Sequence, residues 1–518
     1  MKKLRANRLM KIRIESWLKF LVILLPAMLY FSYYPVIGFG SNDSMNFELS
    51  LPLIWLVVFD FVAFVYLVIF ERTTTEKLRR IWLWGLLPVY LTMSVLWSMN
   101  TLRGALTVGI LWLIYFTVYM VWKMRELFDV GFLVRFWRWF WIVGLVVCGW
   151  CLTQCILDLL GVTREYSLMC AGCTYKMFGF PHPNGFAIEP QFMGNLLLVP
   201  IVVLMWGVVN GSKVVRSQED LMKLKQIRYG VILPKHAEIV LVIFAMTLFL
   251  TFSRGAIYAF GVAMVFLSSF VLARKKGLVL KNVIKMWGMS TVAFFLVLNM
   301  QGVMAAVGPT SDTYWSGVTK SLNHLSLGVI DLRGQDVGDG VSGGGIDGGE
   351  TVRSEGEEEI EVRGEERDEI IVGNENQQEP MFDGYVAEST DTRMRLTNAA
   401  IEVWAKDWKN ALFGVGLGGA GWALYQNGLS PAPKEIIQNQ YASMLLEAGI
   451  VGIMLSVLTL ILIMKLIVKV ESKDLLLTML VAFGVSLFFF AGLPNALHIY
   501  LMTAVLLVFC LRTQKSVD

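Results

Sequence analysis

Charge is scarce in this chain. Of 518 residues only 17% are Asp, Glu, Lys or Arg, while 56% are hydrophobic. An ordinary soluble chain is nearer about a quarter charged and under half apolar. That shortage excludes a nucleic-acid binder and a cytosolic enzyme with a minor membrane anchor. Cysteine is scarce as well, six in all, which excludes a secreted disulfide scaffold. Mean hydropathy is +0.59. The net charge of +4 says little as a total; its distribution says more.

What the chain has in quantity is long apolar runs. A membrane helix needs roughly 20 mostly apolar residues. Twelve such runs are bounded by charge or turn residues: 17–39, 51–70, 81–98, 104–122, 137–159, 188–209, 237–253, 255–273, 286–305, 441–464, 474–492 and 495–512. The first is too long for a removable signal peptide. Pro26 and Pro35 inside it predict a kink, because in lipid the backbone must satisfy its own hydrogen bonds. The fold expected is an all-α polytopic membrane protein of about twelve spans. Lys and Arg crowd the N-terminus and every second loop, among them Arg79, Lys123, Arg135, Lys223, Arg228, Lys276, Lys285 and Lys469. By the positive-inside rule both termini are cytoplasmic, in a multi-pass protein of the inner or plasma membrane.

On the opposite side only 160–187 and 306–440 are long. Within 306–440, residues 331–380 are rich in Gly and Glu (GDGVSGGGIDGGE, SEGEEEIEVRGEERDE). This composition cannot bury enough apolar surface to fold and reads as a disordered acidic insert. It lacks the spaced acidic pattern of a calcium loop. Further on, Leu396, Ala400, Val403, Trp404 and Ala411 recur at helical spacing. Trp404 and Trp408, four apart, are expected to share a face. The segment 394–412 therefore reads either as an amphipathic helix on the outer membrane surface or as a packed external helix. GVGLGG at 414–419 satisfies G-x-G-x-x-G, but no strand precedes it and no βαβ unit follows. Its glycines suit a tight turn and close backbone approach.

Polar residues gather where the apolar runs meet the outer side. Arg254 interrupts TFSRGAIYAF between the seventh and eighth runs, Arg103 follows SVLWSMNTLRG, and Glu189 opens the sixth run. Gln438, Asn439 and Glu447 start the tenth; Asn495 and His498 open the twelfth; Arg393 and Arg395 precede the external helix. Together they suggest a crater rich in Arg and poor in metal ligands. Arg keeps its charge at low dielectric and holds phosphate bidentately. Two or three could hold a lipid-linked pyrophosphate without a divalent ion, while a carboxylate or imidazole activates an acceptor hydroxyl. Cys148, Cys151, Cys155 and Cys510 fall in apolar runs and act as small apolar residues. Cys170 and Cys173 form an outer C-A-G-C compatible with a local disulfide, and with no second pair there a structural zinc is not expected.

Four stretches resemble the O-antigen ligase and polymerase superfamily, bacterial membrane glycosyltransferases acting on undecaprenyl-pyrophosphate glycans: LWSMNTLRGAL at 96–106, TFSRGA at 251–256, TDTRMRLTNAAIEVW followed by LFGVGLGG, and QNQYASMLLEAGIVG at 438–452. The motif core spans about 237–465, flanked by membrane helices in 1–236 and 466–518. The resemblance implies a twelve-helix fold related to the C-type glycosyltransferases, with a large outer loop before the tenth helix. It implies metal-independent, inverting transfer from a polyprenyl pyrophosphate, with no cofactor. A lipid-linked oligosaccharide is then the donor, a glycan or lipid-glycan the acceptor, and membrane lipid the surroundings. Arg254 falls on the family's phosphate-binding Arg. Aligning on AAIE selects Arg393 as its second; Arg395, two positions on, points to nearly the opposite helix face.

One family feature is missing. Ligases carry a His where this chain has Gln438, and an amide cannot act as a general base. This favours a polymerase-like member, with Glu189, Glu447 and His498 as alternative bases. The competing readings are a transporter or lipid-glycan flippase and a non-catalytic assembly scaffold. Against transport, the chain shows no half-to-half repeat.

Overall fold

A computed structural model describes residues 2–32, 35–39, 47–70, 82–160, 182–187, 189–210, 231–275, 279–307, 313–326, 385–433, 435–490 and 497–512. The acidic insert, the Cys170–Cys173 pair and Asn495 lie outside these.

The fold is almost wholly helical. In chain order come α1 (Lys2–Tyr30), α2 (Leu51–Phe70), α3 (Trp82–Ser94), α4 (Thr101–Lys123), α5 (Val130–Leu159), α6 (Pro190–Val209), α7 (Ala237–Leu250), α8 (Arg254–Lys275) and α9 (Leu280–Val307). Then follow α10 (Tyr314–Leu325), α11 (Tyr385–Ala405), α12 (Trp408–Phe413), α13 (Ala420–Gln426), α14 (Gln440–Ile467), α15 (Lys473–Ser486) and α16 (Leu497–Arg512). Among the described residues seven helices are long and apolar enough to cross a membrane: α2, α4, α5, α6, α8, α9 and α14. Shorter apolar stretches are Leu83–Trp97, Ala237–Leu250 and Tyr500–Leu511. This is a multi-pass membrane protein.

Two expectations need correction. The run 17–39 is not one helix. The chain stays helical through Pro26, but α1 stops at Tyr30, and Pro35–Phe39 forms a strand paired antiparallel with Phe47–Ser50. Proline has no N–H to give a helix or a central ladder, and it fits the first residue of an edge strand. Nor do Trp404 and Trp408 share a face. The helix breaks between them, where the Asp407 carboxylate accepts from the backbone N–H of Lys409 and Asn410 and starts α12. Trp404 turns inward and donates to the Ala411 carbonyl (3.0 Å), while Trp408 stays exposed.

The bundle is organised around α6. Its whole apolar length is buried, against α7, α8, α9, α15 and α16. At one end of it Asn282 donates to the Val209 carbonyl and Asn210 to Asp474, with Lys285 paired to Glu238. At the other end the first turn of α6 meets the α7–α8 turn and the end of α15. A Cβ on Gly194 would come within 2.7 Å of Ser253 Cβ. A second, smaller core lies on α11, α13 and the start of α14, built from Leu396, Ala399, Ala400, Val403, Ala423, Leu424 and Leu446. Helix α11 is therefore packed against protein on its apolar face.

Candidate functional site

The α7–α8 turn holds the one non-glycine residue with positive φ among the described residues. Phe252 has φ 48°, a left-handed backbone rare for a bulky residue. Such strain persists where the surroundings over-determine it, typically at functional sites. Here the Thr251 hydroxyl turns back to Leu248 O (2.7 Å) and accepts from Ser253 N–H (3.3 Å). The His182 ring stacks on Phe252 at 4.9 Å, and His324 Nε2 lies 3.2 Å from the Phe252 carbonyl. The result is that Arg254, the first residue of α8, is only 7% exposed, held inside protein rather than snorkelling outward.

Other elements bring their groups to this turn. Residues 182–187 are pinned to α5 by Gln154, which bonds Asn184 Oδ1 (2.9 Å) and Gly185 N–H (2.9 Å). They deliver Glu189 to the N-cap of α6, with Pro190 starting the helix. The Glu189 side chain makes no capping bond, so its carboxylate is left for other partners. Helix α11 turns Arg393 inward, where Nη2 donates to Gln191 Oε1 (3.3 Å), while Arg395 is exposed. Gln191 in turn donates through Nε2 to the Phe489 carbonyl (3.1 Å). The end of α10 is tied in by Tyr258, whose hydroxyl donates to Leu325 O (2.7 Å).

The electrostatics follow from burial among cations. Burial raises the proton affinity of Glu189, and the nearby Arg393 partly offsets this. Burial pushes the His324 imidazole down to about 4, helped by the positive charges of Arg254 and Arg393 and opposed by its bond to Phe252. Burial, then His324, pushes His182 down to about 3. Both imidazoles are neutral at pH 7 and add no charge to the two guanidiniums. Unfolded histidine titrates near 6.5, so the unfolded chain binds more protons as the pH falls. The stability these neutral rings contribute is complete above about pH 6.5 and is lost on acidification toward pH 4. For His324 alone the difference is on the order of 3 kcal/mol. Melting in nanodiscs should fall between pH 7 and pH 4.5, and by less in His324→Gln; a variant as acid-sensitive as the native chain would contradict this.

Arg103 and Glu447 form a separate arrangement around the glycine loop. The Glu447 carboxylate accepts backbone N–H groups from Gly418 and Ala420, with Arg103 nearby. Val415 N–H donates to Leu446 O (2.9 Å) and Gly416 N–H to Glu447 O (3.0 Å). Ser98 Oγ donates to Leu417 O (2.8 Å), and Tyr90 OH to Ala448 O (2.7 Å). Gly414, Gly416, Gly418 and Gly449 all have positive φ. The loop is thus threaded between α3, α4 and a kink in α14, and Glu447 clamps it. Asn439 caps α14, accepting from Tyr441 N–H (3.1 Å) and Ala442 N–H (3.2 Å). Gln438 Oε1 is buried without a hydrogen-bond partner among the described residues. His498 falls in the first turn of α16, with its side chain outside the described residues. No three His, Cys, Asp or Glu side chains converge among the described residues.

His182, His324 and Gln191 were not singled out from the sequence. The chain has only four histidines, and two of them flank this turn; that scarcity is the one signal that points to them.

Helices packed round a buried central helix, with two arginines and a carboxylate at one end of it, define a polytopic membrane protein with a cationic site at one bundle end. Residues 239–457 match the family described as O-Antigen ligase. That stretch holds Arg254, His324, Arg393, the glycine loop and Glu447, and the match supports the O-antigen ligase and polymerase superfamily and a glycan-processing function acting on lipid-linked glycans. No curated protein and no solved structure matches the chain.

Proposed function

We propose that the protein is a polymerase-like membrane glycosyltransferase. It transfers or polymerises a surface glycan from an undecaprenyl-pyrophosphate donor at the extracytoplasmic face. The observation that carries this reading is the convergence of Arg254, from the bundle, with Arg393, from the external helix, beside Glu189 at the head of α6. The N-termini of α6 and α8 meet there too, and helix N-termini favour anions. Arg254 holds one phosphate and Arg393 closes over the other. Their fixed charges stabilise the departing pyrophosphate without a metal, and Glu189 takes the proton of the acceptor hydroxyl. The catalytic core is 237–465, with 1–236 and 466–518 as flanking membrane helices. The Lys/Arg bias sets both termini in the cytoplasm of a cell whose inner or plasma membrane houses the protein.

The test is glycan transfer by the purified chain from a lipid-linked donor, with chelator present. Arg254→Ala and Arg393→Ala each remove a charge-assisted contact of about 1.5–3 kcal/mol, roughly a tenfold or greater loss. Arg→Lys keeps charge but loses the planar fork and is expected to impair turnover too; Arg395→Ala should be milder. Normal turnover in both alanine variants overturns the pyrophosphate clamp and puts a transporter or flippase first.

A further inference from the structure

We infer that Phe488 and Tyr441 form a platform for an uncharged sugar ring of the acceptor glycan, with the Gln440 amide oxygen placed to take a hydrogen bond from one of its hydroxyls. The inference rests on the glycosyltransferase reading above and names where its acceptor sits. Gln440 and Tyr441 open α14, and Phe488 follows the end of α15. The two rings lie 4.5 Å apart, inclined at 47°, and stay 41% (Tyr441) and 56% (Phe488) exposed. The Tyr441 hydroxyl donates to Gly484 O (2.7 Å) and the Gln440 N–H to Leu487 O (2.9 Å). The start of α14 is thus fixed to the end of α15, and the ring pair with it.

The same short segment reaches the candidate site. Two residues past Leu487, the Phe489 carbonyl accepts from Gln191 Nε2 (3.1 Å), and the Phe489 ring stacks on Tyr258 at 6.0 Å. A Cβ on Gly255, the residue after Arg254, would fall on Phe489. Leu487 and Phe489 are at most roughly 7 Å apart along the chain. Gln191 stands two residues after Glu189 at the head of α6. A sugar seated on the rings is therefore next to the element that carries Glu189, the group assigned to the acceptor hydroxyl.

The chemistry of the patch selects a sugar over lipid or phosphate. Gln440 Oε1 is buried without a hydrogen-bond partner among the described residues, and so is Gln438 Oε1 two residues earlier. Asn439 between them is extended (φ −132°, ψ 107°) and turns its own side chain to cap α14. An extended residue sets its two neighbours on one side of the chain. A buried acceptor left unpaired is costly and calls for a donor. Lipid tails have no donors, and pyrophosphate oxygens are acceptors. A sugar supplies both hydroxyl donors and a face of C–H groups that packs on the electron-rich face of an aromatic ring. Gln438, Gln440, Tyr441 and Phe488 carry no charge, so the sugar they suit is uncharged.

The test uses the purified full chain in nanodiscs and two probes. One is the glycan released by mild acid from the lipid-linked pool of the producing cell, which lacks lipid and pyrophosphate. The other is a short-chain polyprenyl pyrophosphate, which lacks sugar. Phe488→Leu keeps an apolar side chain but removes the flat ring, so a mere lipid contact would tolerate it. Gln440→Leu removes the amide oxygen. Each variant should bind the glycan about two- to tenfold more weakly, with pyrophosphate binding and melting temperature near native. In transfer from the lipid-linked glycan to the released glycan, both should raise the KM for the released glycan alone. Native glycan affinity in both variants overturns the platform, and so does a raised KM for the lipid-linked donor in place of the acceptor. Arg254→Ala and Arg393→Ala, measured with both probes, separate the two failures. If they bind the pyrophosphate normally while the platform variants lose the glycan, the pyrophosphate clamp falls and the platform stands. If they lose the pyrophosphate while the platform variants keep the glycan, only the platform falls.

Discussion

Glu189→Gln should leave donor binding in place and lower turnover about a hundred- to ten-thousand-fold, the range typical of a lost general base. The substitution keeps the side chain's size and removes its ability to take a proton. No helix cap is lost with it, because the carboxylate makes no capping bond at the head of α6. Burial raises its proton affinity, against the opposing charge of Arg393, so it is a better base than a solvent-exposed Glu. The sign of the pH effect follows. The active form is the carboxylate, so turnover should rise with pH through a titration above the ordinary carboxylate range and then level off. The check is single-turnover transfer across pH, with separate measurement of donor affinity. Gln438→Ala should retain appreciable activity. A Glu189→Gln variant with native turnover would move the base elsewhere, with His498 next to be tested.

Gly416→Ala should cost the glycine loop and the helices packed on it about 2–6 kcal/mol, combining backbone strain with steric overlap. Its upper end reaches the low end of whole-domain stabilities, about 5 kcal/mol. Gly416 has φ 87°, and an added Cβ would fall on the backbone of Ser98 and Ser94. Those neighbours cannot yield, because Ser98 is itself bonded to Leu417 and Ser94 accepts from the Leu417 N–H. Gly428→Ala is the internal control. Its φ is 68°, but nothing lies within 4 Å of the added atom, so only the left-handed strain of roughly 1–2 kcal/mol applies. Melting of the two variants should differ by at least the overlap cost. Equal melting would mean that the loop lies farther from α3 and α4.

The helices were largely legible, since a long apolar run has few alternatives in a membrane. Each expected apolar run overlaps an observed helix. The exceptions are local: Pro35 starting a strand, and Asp407 breaking a helix whose hydrophobic spacing continued across the break. Arg254, Arg393 and Glu189 could be named because charge is conspicuous in so apolar a chain, and they do stand together. Arg103 and Glu447 were conspicuous for the same reason but meet each other at the glycine loop. Gln191 was illegible, and His324 was marked only by the scarcity of histidine, because their contacts lie 202 and 72 residues away in sequence. The glycine spacing signalled close approach without naming which backbone was approached.

The burial of α6 has a mechanical consequence. A helix that touches lipid adjusts to bilayer thickness by tilting. In α14 only 11% of the apolar window is buried in protein, against 100% in α6. A thicker or thinner membrane is therefore accommodated by outer helices such as α14, while α6 takes its depth from the protein around it. The height of Glu189 and Gln191 relative to Arg254 becomes an internal dimension of the molecule, the same in any bilayer that keeps the bundle folded.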